Sequence, residues 1–200
     1  NLKDIYLVGG SAGSRISLMA AARMPDNVRK IAIWWISGGP VSLAGLAWFY
    51  CGDQIAAASK GGMEAVAALP SWADQISRNP KIRETLLAQD PDNYIDTMQR
   101  WGKAFAYTDE SPVPGMSADE FQKLTMPTLV FRSGKSDMAH TRRTSEWVHE
   151  LLPNASLVEP PWGDGEWNYV STFPNDIEQR RGRFERWPLI APMVLEFLKD

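Results

Sequence analysis

Cysteine is almost missing from this chain: Cys51 is the only one in 200 residues. No internal disulfide can form, which favours a reducing compartment, and the cytoplasm is the expected location. Histidine is nearly as scarce, with only His140 and His149. Two scattered histidines and one cysteine give no metal-ligand spacing, and no cofactor motif is present, so neither a metal nor another cofactor is expected. Charge of one sign is lacking too. A net charge of −3 offers no basic footprint for nucleic acid, and Arg180, Arg181, Arg183 and Arg186 alternate with Glu178 and Glu185 as a solvated face does. No run of 18 apolar residues occurs, so no membrane partner is expected. The opening Asn1-Leu2-Lys3-Asp4 leads straight into a strand, and no secretory signal is expected there.

What is present is organised around residues 5 to 24. Ile5 to Val8 is a short apolar run of the kind a buried strand shows, and Ile16, Met19, Ala20 and Arg23 follow at helical spacing, with Pro25 as a stop. Between them lies Gly9-Gly10-Ser11-Ala12-Gly13. This is the G-x-S-x-G pattern of a strand-to-helix elbow. Glycines on both sides let strand and helix approach, while the serine sits in a strained bend with its hydroxyl exposed. Three fixed positions recur by chance in about one chain in fifteen of this length. The strand before and the helix after are what give the pattern weight.

Further along, Lys30 to Ser37 reads as a second buried strand, so the first two strands and their helix suggest a parallel βαβ unit. Residues 41 to 125 show no strand of similar strength. They show helical patterns broken by glycine and proline: Leu43 to Tyr50, Met63 to Leu69, Ser71 to Ser77, Pro80 to Gln89 and Pro91 to Phe105, with Asp90 and Asp119 as expected helix starts. Pro127 to Ser133 is a third strand, Thr141 to Leu152 a helix, Ala155 to Val158 a fourth strand and Trp187 to Leu198 a closing helix. The fold class is therefore α/β, a mostly parallel sheet with flanking helices. The chain divides into core sheet with the elbow (1–40), an inserted helical lid (41–125), and core sheet with an acid loop and terminal helix (126–200). Ligands of such sheets bind outside the C-terminal strand ends, where Ser11, Gly38, Asp137 and the loop after Val158 all fall.

Over nearly its whole length the chain resembles the α/β-hydrolase superfamily. The elbow, a helical cap after the next strand, and the segment Met126 to His140 (MPTLVFRSGKSDMAH) come in that family's order. The resemblance implies Ser11 as nucleophile and Asp137 as triad acid, with the N–H of Ala12 as one oxyanion donor. The family normally carries some four strands ahead of the elbow strand. A sheet without them would expose a hydrophobic edge, so the missing N-terminal half of the core, from the same or a separate chain, is an expected partner that would complete the oxyanion hole.

The family's catalytic histidine stands in the loop after the last strand, and here that loop has none. It offers Asp164 and Glu166, which could act as base if burial beside Trp162 and Trp167 raised the carboxyl pKa. His140, three residues after Asp137, lies at the same strand-end edge. It reads either as the base or, as the resemblance implies, as a structural residue near the start of the next helix. Three functions stay open: a serine hydrolase acting on an ester, lactone, amide or C–C bond of a small, fairly apolar substrate; a non-hydrolytic ligand-binding member of the fold; and a lyase or isomerase using Glu166. For the lid, Trp48, Phe49, Tyr50, Trp72, Trp101, Phe105 and Tyr107 suit an aromatic-lined pocket.

Overall fold

The computed structural model describes residues 2–164 and 186–199. Four strands, β1 (Ile5–Gly10), β2 (Val28–Trp34), β3 (Thr128–Phe131) and β4 (Ala155–Val158), form one sheet in the order β1-β2-β3-β4. Each neighbouring pair is parallel, with Leu7 opposite Ile31, Ile31 opposite Thr128 and Thr128 opposite Ala155. Parallel strands need crossovers, and helices α1 (Ala12–Arg23) and α8 (Arg142–Leu151) make the first and last of them. The second strand begins at Val28 and ends at Trp34, earlier at both ends than the apolar run suggests. Ladder pairing to β1, not hydropathy, sets those ends.

The chain separates into two compact units, 1–43 with 107–200, and 44–106. In the sheet unit, β3 and the Ile31–Trp34 part of β2 are buried on both faces. Ile31, Ile33 and Val130 join Leu18, Ala21, Phe121, Leu124 and Val148 in one core cluster. Ala32, Leu129 and Phe131 join Trp34, Trp35, Trp162, Ile190 and Val194 in the other. The first cluster is covered by α1, α8 and α7 (Ala118–Gln122); the second by the closing helix α9 (Ala191–Leu198), which a 3-10 turn over Trp187–Ile190 introduces. Helix α7 starts on Ser117, not on Asp119. Ser117 accepts from the Glu120 N–H while the Glu120 carboxylate accepts from the Ser117 N–H, a reciprocal capping box.

The edge strand β1 is different. Ile5 and Leu7 pack on the first cluster, whereas Tyr6 and Val8 on the other face are 39% and 48% exposed. Val8, Trp34, Trp187, Val194 and Leu198 there line an apolar hollow of about 610 Å³.

The helical unit lies between α2 (Gly39–Ala47), which begins in the sheet unit, and residue 106. A turn of π-helix at Trp48–Gly52 leads into α3 (Asp53–Ala67), followed by α4 (Pro70–Arg78), α5 (Lys81–Leu87) and α6 (Pro91–Gly102). Helix over Asp53 to Lys60 is absent from the sequence expectation because Gly52 and Gly61-Gly62 flank it. The chain tolerates the pair by kinking at Gly61-Gly62, where Gly62 takes φ +63°. Asp90 caps α6, as expected, accepting from the Asn93 N–H at 2.9 Å. Cys51, Ala58, Met63, Val66, Leu86, Tyr94 and Met98 make this unit's own core. Among the described residues no helix is long and apolar enough to cross a membrane.

Candidate active site

Ser11 stands between β1 and α1 with φ +56° and ψ −123°, a conformation that costs a non-glycine residue about 1–3 kcal/mol. Two hydrogen bonds fix the bend: the Ser11 N–H donates to the Trp34 carbonyl at 3.1 Å, and Ser14 Oγ donates to the Ser11 carbonyl at 2.5 Å. The motif glycines are not equivalent. A Cβ on Gly9 would lie 2.5 Å from the Gly13 carbonyl oxygen and 2.8 Å from Ser17 Oγ, so only glycine fits. A Cβ on Gly13 would meet nothing within 4 Å, so the expected crowding is confined to the Gly9 side. Ala12 is the first residue of α1, and its N–H has no acceptor within the helix.

After β3 the chain turns at Asp137, which is 3% exposed. Its Oδ1 accepts from the Ala139 N–H at 2.9 Å and from the His140 N–H at 2.8 Å. Its other oxygen, Oδ2, lies 3.2 Å from His140 Nδ1. The same carboxylate thus folds the loop and faces the ring. Across the ring, His140 Nε2 lies 2.9 Å from Ser11 Oγ. With Nδ1–H donating to Asp137, Nε2 carries the lone pair and accepts from the serine hydroxyl, the arrangement of a nucleophile, a base and an orienting acid.

His140 is fully buried, and its ring stacks on Trp35 with centroids 5.4 Å apart and planes 12° from parallel. Trp35 follows β2 directly and has φ +48°. That left-handed turn, rare for a bulky residue, swings the indole under the imidazole. Ser42 Oγ donates to the Ala139 carbonyl, and Thr144 Oγ1 donates to the Gly38 carbonyl at 2.6 Å. The loop that carries His140 is therefore tied to the chain that leaves β2.

Solved structures share this architecture. A 2-hydroxy-6-oxo-6-phenylhexa-2,4-dienoate hydrolase from Rhodococcus sp. matches with a TM-score of 0.56 at 20% identity, over 98% of this chain and 64% of that one. A hydrolase from Oleispira antarctica matches with a TM-score of 0.52 at 16% identity, over 98% and 65%. The enol-lactonase from Burkholderia xenovorans gives 0.50 at 20% identity, over 100% and 67%. This chain has the α/β-hydrolase fold. It spans about two-thirds of the length of these neighbours. No protein-family model and no curated protein matches it by sequence.

Within the α/β-hydrolase fold, the other acidic candidates have different fates. Asp164 is exposed and serves the acid loop: its Oδ1 accepts from the Lys135 N–H at 3.0 Å and lies 3.4 Å from an Arg142 guanidinium nitrogen. Its carbonyl takes the Ser136 hydroxyl at 3.1 Å, and that carbonyl presses so close to Gly134 that a Cβ there would collide with it. Asp164 is thus a brace between the loops after β3 and β4, not a base beside Ser11. Glu166 and Trp167 lie outside the described residues, as do Arg180, Arg181 and Arg183. Trp162 is buried against Trp35 at 6.2 Å, part of the wall behind His140. His149 is half-buried on α8. Arg15 is half-buried too, and burial pulls its guanidinium pKa below the usual range. Trp35 has no site role in the sequence reading, because Lys30 to Ser37 reads there as one continuous strand and the left-handed turn just past Trp34 is visible only in the fold.

Proposed function

We propose that the protein is a serine hydrolase in which Ser11 is the nucleophile, His140 the base and Asp137 the orienting acid. The observation that carries this reading is the 2.9 Å approach of His140 Nε2 to Ser11 Oγ, with Asp137 3.2 Å behind the ring. In the reaction, Ser11 Oγ attacks a carbonyl carbon as its proton passes to His140 Nε2, and the carbonyl electron pair moves onto oxygen. The Ala12 N–H is one donor to that oxyanion. Collapse expels the leaving group, which takes the proton from His140, and leaves an acyl ester on Ser11. Water, deprotonated by His140, then attacks the ester and releases the acid. Asp137 keeps Nδ1 protonated through both halves and balances the imidazolium charge.

The base thus comes from the same turn as the acid, three residues on, where the family resemblance implies the loop after the last strand. The substrate class we assign is an ester, lactone, amide or C–C bond of a small, fairly apolar molecule, and the helical stretch keeps the role of lid that its place between two core strands suggests. A second oxyanion donor and a cover for the exposed Tyr6–Val8 face of β1 are assigned to an N-terminal core segment, in the same or a separate polypeptide. The test is turnover of short-chain p-nitrophenyl esters by the full-length protein. We expect a burst of p-nitrophenol equal to one per chain, followed by slower turnover, and loss of both in Ser11→Ala. Hydrolysis that persists in a correctly folded Ser11→Ala protein would overturn the assignment.

A further inference from the structure

The helical unit holds a cavity of about 550 Å³, lined wholly by residues between Phe49 and Trp101 and therefore a property of that unit alone. Its volume lies within the range of small-molecule sites. Phe49, Tyr50, Trp72, Leu86, Met98 and Trp101 form the apolar wall. Phe49, Tyr50 and Trp101 are 44%, 46% and 61% exposed, an unusual amount of aromatic surface to leave on one small unit.

The polar group that matters is Gln54, which is 7% exposed and lines the cavity. Its Oε1 accepts from the Trp72 indole N–H at 3.3 Å and from the Tyr94 hydroxyl. An indole N–H can only donate, so the amide cannot be flipped, and both acceptor positions of Oε1 are filled. A phenol is protonated at neutral pH and so can donate to Gln54, and burial pushes the Tyr94 pKa further up. The two Nε2 hydrogens take no part in these bonds, in a wall where the other polar groups are neutral: Ser71, Gln75, Gln89 and Thr97. The Ser71 hydroxyl is itself buried without a hydrogen-bond partner.

We propose that this cavity is a binding site for a neutral, flat aromatic molecule carrying a carbonyl group, the ring held among Phe49, Tyr50, Trp72 and Trp101 and the carbonyl oxygen accepting from Gln54 Nε2. Neutrality follows from the lining. A carboxylate would be desolvated with no cation to pair with, whereas a carbonyl needs only the donors that Gln54 presents. Fixing of the amide by Trp72 and Tyr94 means that little side-chain freedom is lost on binding. The site stands independently of the hydrolase reading, since none of its residues belongs to the Ser11 constellation.

The test is calorimetric titration of the full-length protein with 2-acetylnaphthalene, naphthalene and 2-naphthoate. 2-Acetylnaphthalene has no ester or amide leaving group, and cleavage of either of its acyl C–C bonds would expel an unstabilised carbanion, so turnover does not interfere. One neutral hydrogen bond corresponds to roughly a 2- to 13-fold gain, and 2-acetylnaphthalene should bind more tightly than naphthalene by that factor. The naphthoate should be weaker than the ketone by at least about tenfold. Gln54→Glu, titrated in alkaline buffer where its carboxyl is ionised, keeps the acceptor for Trp72 and Tyr94 while removing the Nε2 hydrogens, and should abolish the preference for the ketone over the hydrocarbon. Should that variant fail to fold, Trp101→Leu, at an exposed wall position, should weaken ketone and hydrocarbon alike by about threefold or more. Ser11→Ala should leave every affinity unchanged, so failure of the hydrolase reading is read separately. Absence of binding by all three compounds at about 1 mM, equal affinity for ketone and hydrocarbon, or a ketone preference that survives in Gln54→Glu would each overturn the proposal.

Discussion

Gly9 and Gly13 occupy equivalent places in the elbow pattern, yet alanine at each should act in opposite directions. At Gly9 the new Cβ would sit 2.5 Å from the Gly13 carbonyl oxygen and 2.6 Å from its carbon, about 0.9 Å inside the 3.4 Å of ordinary contact. Both atoms are backbone, so no side chain can swing away, and β1 and α1 must separate. Such overpacking costs about 1–3 kcal/mol. For a chain of this size that is a fall in melting temperature of roughly 2–12 °C. The same separation displaces Ser11 relative to His140, and a misplacement of about 1 Å lowers a rate on the order of 100-fold. At Gly13 nothing lies within 4 Å of the added methyl, and the position is already helical. Alanine there should stabilise by up to about 1 kcal/mol and leave reactivity intact. Thermal melting followed by circular dichroism, with the rate of modification by a fluorophosphonate, reads both effects. Unchanged melting and reactivity in Gly9→Ala, or equal damage from the two substitutions, would refute the close approach of strand and helix on which this account of the elbow rests.

Two further outcomes are expected. Asp137→Asn keeps an oxygen for the Ala139 and His140 N–H groups but turns an amide donor toward Nδ1, which selects the imidazole tautomer with hydrogen on Nε2. Fluorophosphonate reactivity should fall by roughly 10⁴-fold with little change in melting, whereas an aspartate that only shapes the loop would leave reactivity intact. Cys51 is 3% exposed and burial raises its thiol pKa, so thiolate forms only at higher pH than in a free cysteine. Iodoacetamide at mildly alkaline pH should therefore modify the native protein far more slowly than the guanidinium-unfolded chain, and equal rates would contradict the burial.

Much of this was legible in the sequence because it is local. Strand β4 occupies Ala155 to Val158 as read, since its boundaries are set by Pro153-Asn154 and Pro160-Pro161. The elbow was legible for the same reason, as was the Asp90 cap. Even the Ser117–Glu120 capping box is spelled out as S-x-x-E, one turn that the acidic Asp119 beside it obscures. The meeting of His140 with Ser11 was not legible, because the partners are 129 residues apart and the loop is placed by other long-range contacts: Ser42 on Ala139, Thr144 on Gly38 and the Trp35 ring on the imidazole. A histidine three residues after an aspartate reads identically whether it turns toward the serine or away. Tertiary packing decides between the two, and nothing in the local pattern records it. Hydrophobic runs likewise misplaced the ends of β2, where ladder pairing overrides the extent of the apolar stretch.

The most direct test of the central claim is intact-mass analysis of the full-length protein after treatment with a fluorophosphonate, in parallel with Ser11→Ala and His140→Asn. The account predicts one adduct per chain, mapped to Ser11, absent from Ser11→Ala, and formed about 10²- to 10⁴-fold more slowly in His140→Asn. No adduct on the folded protein, an adduct on another residue, or modification of His140→Asn at the parent rate would contradict it.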